Sequence, residues 1–291
     1  MLSAFPDPSP LTLAHGRLAA LSWGKIDAPV WLALHGWLDN AASFSRLAPR
    51  LASQLGIRII ALDLRGHGLS QPAPGGSDYA LWDYCHDLLD ALDELELERA
   101  CLLAHSMGAA VACLTASAMP ERVERLILID GLGALNTPAC ETPQQLRKGL
   151  QAHRRPLSRS PRYPDSATAV AARVAGGVTP IGQATAAPLV ERNLEPCGDG
   201  GVRLRTDGRL LKPSLVRFSP EQVLGILASI ECPVLLVEGE EGILGERPWA
   251  QQARQAVPQL TRYVLGGGHH LHLEPGSVDK VAAVIVAERN V

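Results

Sequence analysis

The sequence predicts an α/β fold: a doubly wound, mostly parallel sheet with a mainly helical insert. Three observations point there. Short apolar runs alternate with helical patterns in the first half of the chain. Those runs are continuous, not every-other-residue. The same order then resumes near the C-terminus after a long interruption of different character. A continuous apolar run fits a strand covered on both faces, as in a parallel sheet flanked by helices.

The runs at Val30–Gly36, Ile57–Asp63, Ala100–Ser106 and Arg125–Asp130 read as sheet strands. Between them, residues 43–55 place Phe44, Leu47, Leu51 and Leu55 at helical spacing. Residues 82–95 place Cys85, Leu88, Leu89, Leu92 and Leu95 on one helix face, with Asp87, Asp90, Asp93 and Glu94 largely opposite. The segments Leu11–His15 and Arg17–Trp23 suggest an antiparallel hairpin at the sheet edge. Near the C-terminus, Pro233–Gly239 and Thr261–Gly267 read as strands, and Pro248–Val257 and Ser277–Ala287 as helices.

Residues 132–231 interrupt this pattern, after the sixth strand. A structureless loop longer than ~15 residues is uncommon in a compact domain, so the insert is expected to fold. Thr142–Pro143–Gln144–Gln145 and Ser219–Pro220–Glu221–Gln222 read as capping boxes that open helices. Gly201–Leu211 reads as a hairpin turning at Asp207–Gly208. The expected division is core over residues 1–131, a mostly helical cap over 132–231, and core again over 232–291.

The 291 residues are 46% hydrophobic and 20% charged, enough to bury a substantial core. The formal charge of −3 leaves no nucleic-acid footprint and no polybasic membrane patch. The six cysteines (Cys85, Cys101, Cys113, Cys140, Cys197, Cys232) show no CxxC pair, which argues against a disulfide framework and for a reducing, cytoplasmic setting. The opening MLSAFPDPSPL lacks the basic and apolar regions of a signal peptide. Ala100–Met119 is the most apolar long window, and reads as a buried strand and helix in preference to a membrane span.

Chemistry concentrates at three places. Ser106 ends one strand and precedes a helix, between the small residues Ala104 and Gly108. A turn that sharp forces a left-handed serine backbone and admits only small neighbours, the geometry of a nucleophile elbow. Taken alone, Ser106 could equally cap a helix. Leu34–Trp37, LHGW, follows the third strand, where the Trp37 N–H could join that of Met107 in holding an oxyanion. Gly266–Gly276, GGGHHLHLEPG, follows the last strand and offers His269, His270 and His272 as general bases. His269, first after the glycines, is best placed, and the other two are expected to pack or orient it. Without an acidic pair or cysteine in helical register beside them, no metal is expected there.

Together LHGWLDNAASF, LDLRGHGLS, LLAHSMGAA, CPVLLVEG and GGHHLHLEP resemble the α/β-hydrolase superfamily, in particular its capped, serine hydrolase-like members. The likeness covers roughly residues 23–131 and 232–287 and fades across the insert. It implies the α/β-hydrolase fold, Ser106 as nucleophile, His269 as base, and Trp37 and Met107 as oxyanion-hole donors. It gives RGHGLS a structural role and leaves Asp63 and His67 without a catalytic one. Serine at the elbow argues against the dehalogenase and epoxide-hydrolase relatives, which use aspartate there.

The acid departs from the family pattern. Its usual place is three residues past Gly239, where this chain has Gly242. Asp130, at the end of the preceding strand, is favoured over Glu241. The expected function is hydrolysis of a small carboxylic ester or thioester through an acyl-enzyme, without cofactor or metal. The alternatives are carbon–carbon bond hydrolysis by the same triad, or a non-catalytic ligand-binding protein on the same fold. The insert arginines Arg147, Arg154, Arg155, Arg192 and Arg203 could meet an anionic substrate, though such residues more often form a solvated helix face.

Overall fold

A computed structural model describes residues 7–157, 160–177, 179–198 and 200–289. The first six residues of the stretch read above for a signal peptide therefore lie outside the described residues. Eleven strands and nine α-helices are described. The strands are β1 (Ser9–Leu13), β2 (Leu18–Trp23), β3 (Val30–Leu34), β4 (Arg58–Leu62), β5 (Ala100–His105), β6 (Val123–Ile129), β7 (Arg162–Tyr163), β8 (Leu194–Pro196), β9 (Val202–Leu204), β10 (Val234–Glu241) and β11 (Leu260–Gly268). The helices are α1 (Leu47–Leu55), α2 (Asp83–Glu94), α3 (Met107–Ala118), α4 (Thr142–His153), α5 (Ser166–Ala175), α6 (Gln183–Arg192), α7 (Pro220–Ala228), α8 (Pro248–Gln255) and α9 (Val278–Arg289).

Eight strands form one sheet in the order β1-β2-β4-β3-β5-β6-β10-β11. The pairs from β4 to β11 are parallel, while β1 and β2 are the antiparallel hairpin at the edge that the sequence suggested. The continuous apolar runs have a direct explanation. Leu32, Leu34, Ile60, Leu62, Leu102, Ala104, Leu126 and Leu128 pack on one side with α2 and α3. Their neighbours Trp31, Ala33, Ile59, Ala61, Cys101, Leu103, Ile127 and Ile129 pack on the other with α1 and α9. Adjacent residues of a strand point to opposite faces, and both faces are covered. The window Ala100–Met119 is β5 and α3, buried almost throughout. No helix among the described residues is long and apolar enough to cross a membrane.

The insert carries α4–α7 and a small antiparallel sheet of order β7-β9-β8. Two local expectations fail there. Helix α4 starts at Thr142 itself, with Glu141 before it and no side-chain cap, so only the Ser219 capping box forms. The antiparallel pair lies upstream of the expected turn: β8 pairs with β9, Pro196 opposite Val202, and Asp207 instead caps a 3-10 turn at Gly208–Leu211. Asp207 is held there by Arg209 and by the Tyr79 hydroxyl of the core, and these contacts outweigh its hairpin propensity.

The insert is tied to the loops that leave the carboxyl ends of β3 and β4. The Trp37 indole donates to Leu210 O at 3.0 Å, and the Asn40 amide to Leu189 O at 2.7 Å. Arg192 of α6 grips the buried Asp63 carboxylate through Nε and Nη2, at 2.9–3.1 Å. Asp63 also accepts the backbone N–H groups of Ala41 and Leu69. Arg192 is thus committed to the core, and Arg203 pairs with Glu195 within the insert. Removing one partner of a buried ion pair strands the other charge, at a typical cost of ~3–5 kcal/mol. The two amide bonds that Asp63 retains place Arg192→Met at the low end, a loss of about 3 kcal/mol in urea unfolding. A change under about 1 kcal/mol would show that the pair is not what secures the insert.

Candidate active site

Ser106 sits between β5 and α3 with φ 51° and ψ −112°, a left-handed conformation unusual for a residue with a side chain. Its N–H donates to Ile129 O of β6 at 3.1 Å, which fixes the turn to the neighbouring strand. The turn brings helix and sheet so close that flanking side chains have no room. A Cβ on Gly108 would collide with the Leu34 carbonyl, and one on Gly131 would lie 2.8 Å from Ser106 Cα. A Cβ on Gly36 would come within 3.2 Å of Ser106 Cβ, so the backbone leading into Trp37 passes directly beside the serine. Ser106 and Met107 are half-buried, and Trp37 is exposed.

The three histidines after β11 part company. His269 donates from Nδ1 to Asp130 Oδ2 at 2.6 Å, and both residues are buried. This bond leaves His269 Nε2 as an acceptor in the neutral ring. His270 donates from Nε2 to Asp39 Oδ2 at 3.1 Å. His272 Nε2 meets the Ser43 hydroxyl at 2.8 Å, and burial holds its pKa well below the usual histidine value. His105, the residue before Ser106, donates from Nε2 to the His269 carbonyl at 2.9 Å and so ties the two loops together. Burial and its histidine neighbours push the His105 pKa down to about 4. Burial by itself would raise Asp39, but His270 beside it outweighs that and holds it well below the ordinary carboxylate range.

Asp130, buried and with φ 41°, is the carboxylate that meets His269. Its Oδ2 also accepts the Ile243 N–H at 2.8 Å, and its Oδ1 the Gly239 N–H at 3.3 Å. Glu241 is exposed at the end of β10. The glycine at position 242 now has a reason: a Cβ there would run into the Asp130 carboxylate. An acid at the usual family place and an acid at Asp130 would compete for one space. The sequence shows the missing aspartate at 242 but not this exclusion, because residues 130 and 242 meet only through the pairing of β6 with β10.

Sequence reasoning missed Asp39 as the partner of His270, and the bond from His105 to His269. Asp39 lies in the quoted LHGWLD segment, and only the fold reveals that it faces the histidine loop. Asp63 anchors the insert, and His67 packs against His35 with ring centroids 5.0 Å apart.

The comparisons with known proteins can be set beside this geometry. Residues 29–159 match the family model described as alpha/beta hydrolase fold. The chain is 34% identical over 269 residues to a serine hydrolase-like protein of Dictyostelium discoideum, covering 88% of this chain and 74% of that one. The chain belongs to the α/β-hydrolase family, among its serine hydrolase-like members. A hypothetical protein of Pseudomonas aeruginosa PAO1 has a solved structure that superposes with a TM-score of 0.89 at 43% identity, covering 98% of this chain and all of that one. The thioesterase domain from the curacin biosynthetic pathway superposes at 0.80 with 28% identity, covering 98% and 100% of the two chains.

Two predictions follow from the geometry. In Gly242→Ala the new methyl displaces Asp130 from His269. A misplacement of about 1 Å near reacting groups costs on the order of 100-fold in rate, so any hydrolytic turnover that uses this pair should drop by about that factor with the fold retained by circular dichroism. Unchanged turnover would mean that the Asp130–His269 contact does not matter to activity. The second concerns pH. Burial lowers His35 to about 4 and His67 to about 3. His35 is fixed as a neutral ring, donating from Nδ1 to Gly36 O and accepting the Leu64 N–H at Nε2. Below pH ~6.5 the unfolded chain binds protons that the native rings refuse, so stability falls as pH drops from there toward the native values. Between pH 7.5 and 5 each ring should remove on the order of 2 kcal/mol from the unfolding free energy. A flat urea-unfolding profile over that range would refute the assignment.

Proposed function

We propose that the protein is a serine hydrolase that cleaves a small carboxylic ester or thioester through an acyl-enzyme. The observation that carries this reading is the pairing of a strained, half-buried serine at an elbow with a buried His269–Asp130 hydrogen bond on the adjoining loops. In this mechanism Ser106 Oγ attacks the carbonyl carbon and passes its proton to His269 Nε2. Asp130 stabilises the imidazolium through the Nδ1 bond and keeps the ring in the productive tautomer. The N–H groups of Met107, at the start of α3, and of Trp37 receive the negative charge that develops on the carbonyl oxygen. Collapse of that oxyanion expels the alcohol or thiol, which takes the proton from His269. Water then repeats the sequence on the acyl-enzyme and regenerates the serine.

Residues 132–231 act as a cap in this reading. Their hydrogen bonds to Trp37, Asn40 and Asp63 hold them over the loops that leave β3 and β4, the first of which carries Trp37, one of the two proposed oxyanion donors. The thioester option draws support from the thioesterase relative, which is similar across almost the entire chain.

A fluorophosphonate probe should label the intact protein at neutral pH, and Ser106→Ala should abolish both labelling and hydrolysis of p-nitrophenyl esters. An unlabelled wild-type protein would leave the non-catalytic binder as the better reading. Asp130→Asn should lower kcat by ~10³–10⁴, as the wrong histidine tautomer is then favoured, while Glu241→Gln should stay near wild type. The reverse pattern would transfer the acid to Glu241.

A further inference from the structure

Asp39, His105 and His270 are all buried, and one ligand atom from each lies within 4.8 Å of the other two. His270 Nε2 is 3.1 Å from Asp39 Oδ2, and His105 Nδ1 is 3.6 Å from the same oxygen. Donor atoms on a tetrahedral Zn²⁺ at bond lengths of ~2.0–2.1 Å are about 3.3 Å apart, so two of the three edges are already near that length. Two imidazoles and one carboxylate are a donor set that suits zinc and its first-row neighbours, and suits calcium or magnesium poorly.

A second observation points the same way. His105 commits its Nε2–H to the His269 carbonyl, so its Nδ1 in the neutral ring carries a lone pair. That atom has no hydrogen-bond partner among the described residues and faces the Asp39 carboxylate. A lone pair set against an anion in a dry site is unfavourable, and a cation between them reverses the sign. His270 Nδ1 is likewise without a partner. The proton on His270 Nε2 can therefore be held at Nδ1 of the same ring while Nε2 turns to an ion.

We propose that Asp39, His105 and His270 bind a divalent transition-metal ion, and that the bound ion inhibits hydrolysis. His105 directly precedes Ser106, and His270 directly follows His269. Drawing three donors onto one centre shifts both rings, and with them the His105–His269 bond that sets the distance between the two loops. Inhibition rests on the hydrolase reading above. Binding does not, and is measured separately.

The test uses the full chain, stripped of metal by a chelator. Zn²⁺ affinity and stoichiometry are read by competition with a chromophoric chelator, and Co²⁺ coordination by its visible absorption. The expected result is one Zn²⁺ per chain in wild type and in Ser106→Ala. Co²⁺ should show intense visible bands of low coordination number, without the near-ultraviolet charge-transfer band of a thiolate. Asp39→Asn and His270→Gln should each weaken binding by 100-fold or more, while His269→Gln keeps the equivalent. Stoichiometric Zn²⁺ should reduce p-nitrophenyl ester turnover at least tenfold, reversibly with EDTA. No stoichiometric binding by wild type overturns the site, as does binding retained in both the Asp39 and His270 variants. Loss in His269→Gln with retention in His270→Gln also overturns it, by moving the ion to the triad base. If either variant fails to fold by thermal melting, the Co²⁺ spectrum of the wild type decides: weak octahedral bands refute the site. Binding without loss of turnover overturns inhibition alone. A wild-type protein that binds zinc as described yet labels with no fluorophosphonate retains the site and loses the hydrolase reading.

Discussion

The turn at Ser106 constrains everything around it. A residue with a side chain held at φ 51° costs roughly 1–3 kcal/mol, and the cost persists only because the surroundings leave no alternative. β5 is hydrogen-bonded on both sides, to β3 and β6, and its last residue cannot swing away. α3 is packed against the sheet largely through small residues, among them Ala109, Ala110, Ala112, Cys113 and Ala116. Relaxing the serine would pull Gly108 off the Leu34 carbonyl or drive Ser106 into Gly131. The apolar, small-residue character of Leu102–Ala110 therefore serves two ends: it buries the strand–helix unit, and it lifts one hydroxyl out of it.

That same crowding accounts for the position of Asp130. Gly131 must be small because Ser106 is pressed against it, so the chain leaves β6 through a tight exit, with Asp130 at φ 41°. The Asp130 N–H donates to Val237 O of β10 at 2.9 Å, and the carboxylate is caught by the N–H groups of Gly239 and Ile243. A carboxylate bonded in this way is held in place independently of His269. Gly242 is the complementary half of the arrangement. Its missing side chain leaves the space that Asp130 fills, and the familiar position of the acid is closed by sterics.

Much of this was legible from one sequence. The core strands and helices were visible because burial on both faces makes strand runs continuous, and that pattern survives without knowledge of topology. Ser106 and His269 could be named as candidates because each directly follows a strand, beside small residues. Asp130 was only favoured over Glu241, since the choice depends on the register between β6 and β10, which no local pattern encodes. The insert read less well for the same reason in reverse. Thr142 and Asp207–Gly208 carry correct local signals for a cap and a hairpin, but Asp207 is taken by Arg209 and Tyr79, a contact across 128 residues. Local propensity decides where nothing distant competes, as at the Ser219 capping box, and yields where something does.

Charged groups lie at the carboxyl ends of the strands, and their partners separate their tasks. Asp63, at the end of β4, is saturated by Arg192 and two backbone N–H groups and has become an anchor. Asp130, at the end of β6, takes two backbone donors and one imidazole. Asp39, in the loop after β3, takes His270 and faces the bare nitrogen of His105. An open α/β sheet gathers its loops at this edge, so carboxylates distant in sequence meet the same few histidines there. What distinguishes them is the number of donors each already has. A carboxylate with a guanidinium and two amides has no capacity left for chemistry. One with two amides and a single imidazole can steady a transient charge. One that faces an unprotonated nitrogen still has room for a further cation, and its two histidine neighbours, His105 and His270, each adjoin in sequence one of the groups proposed to react.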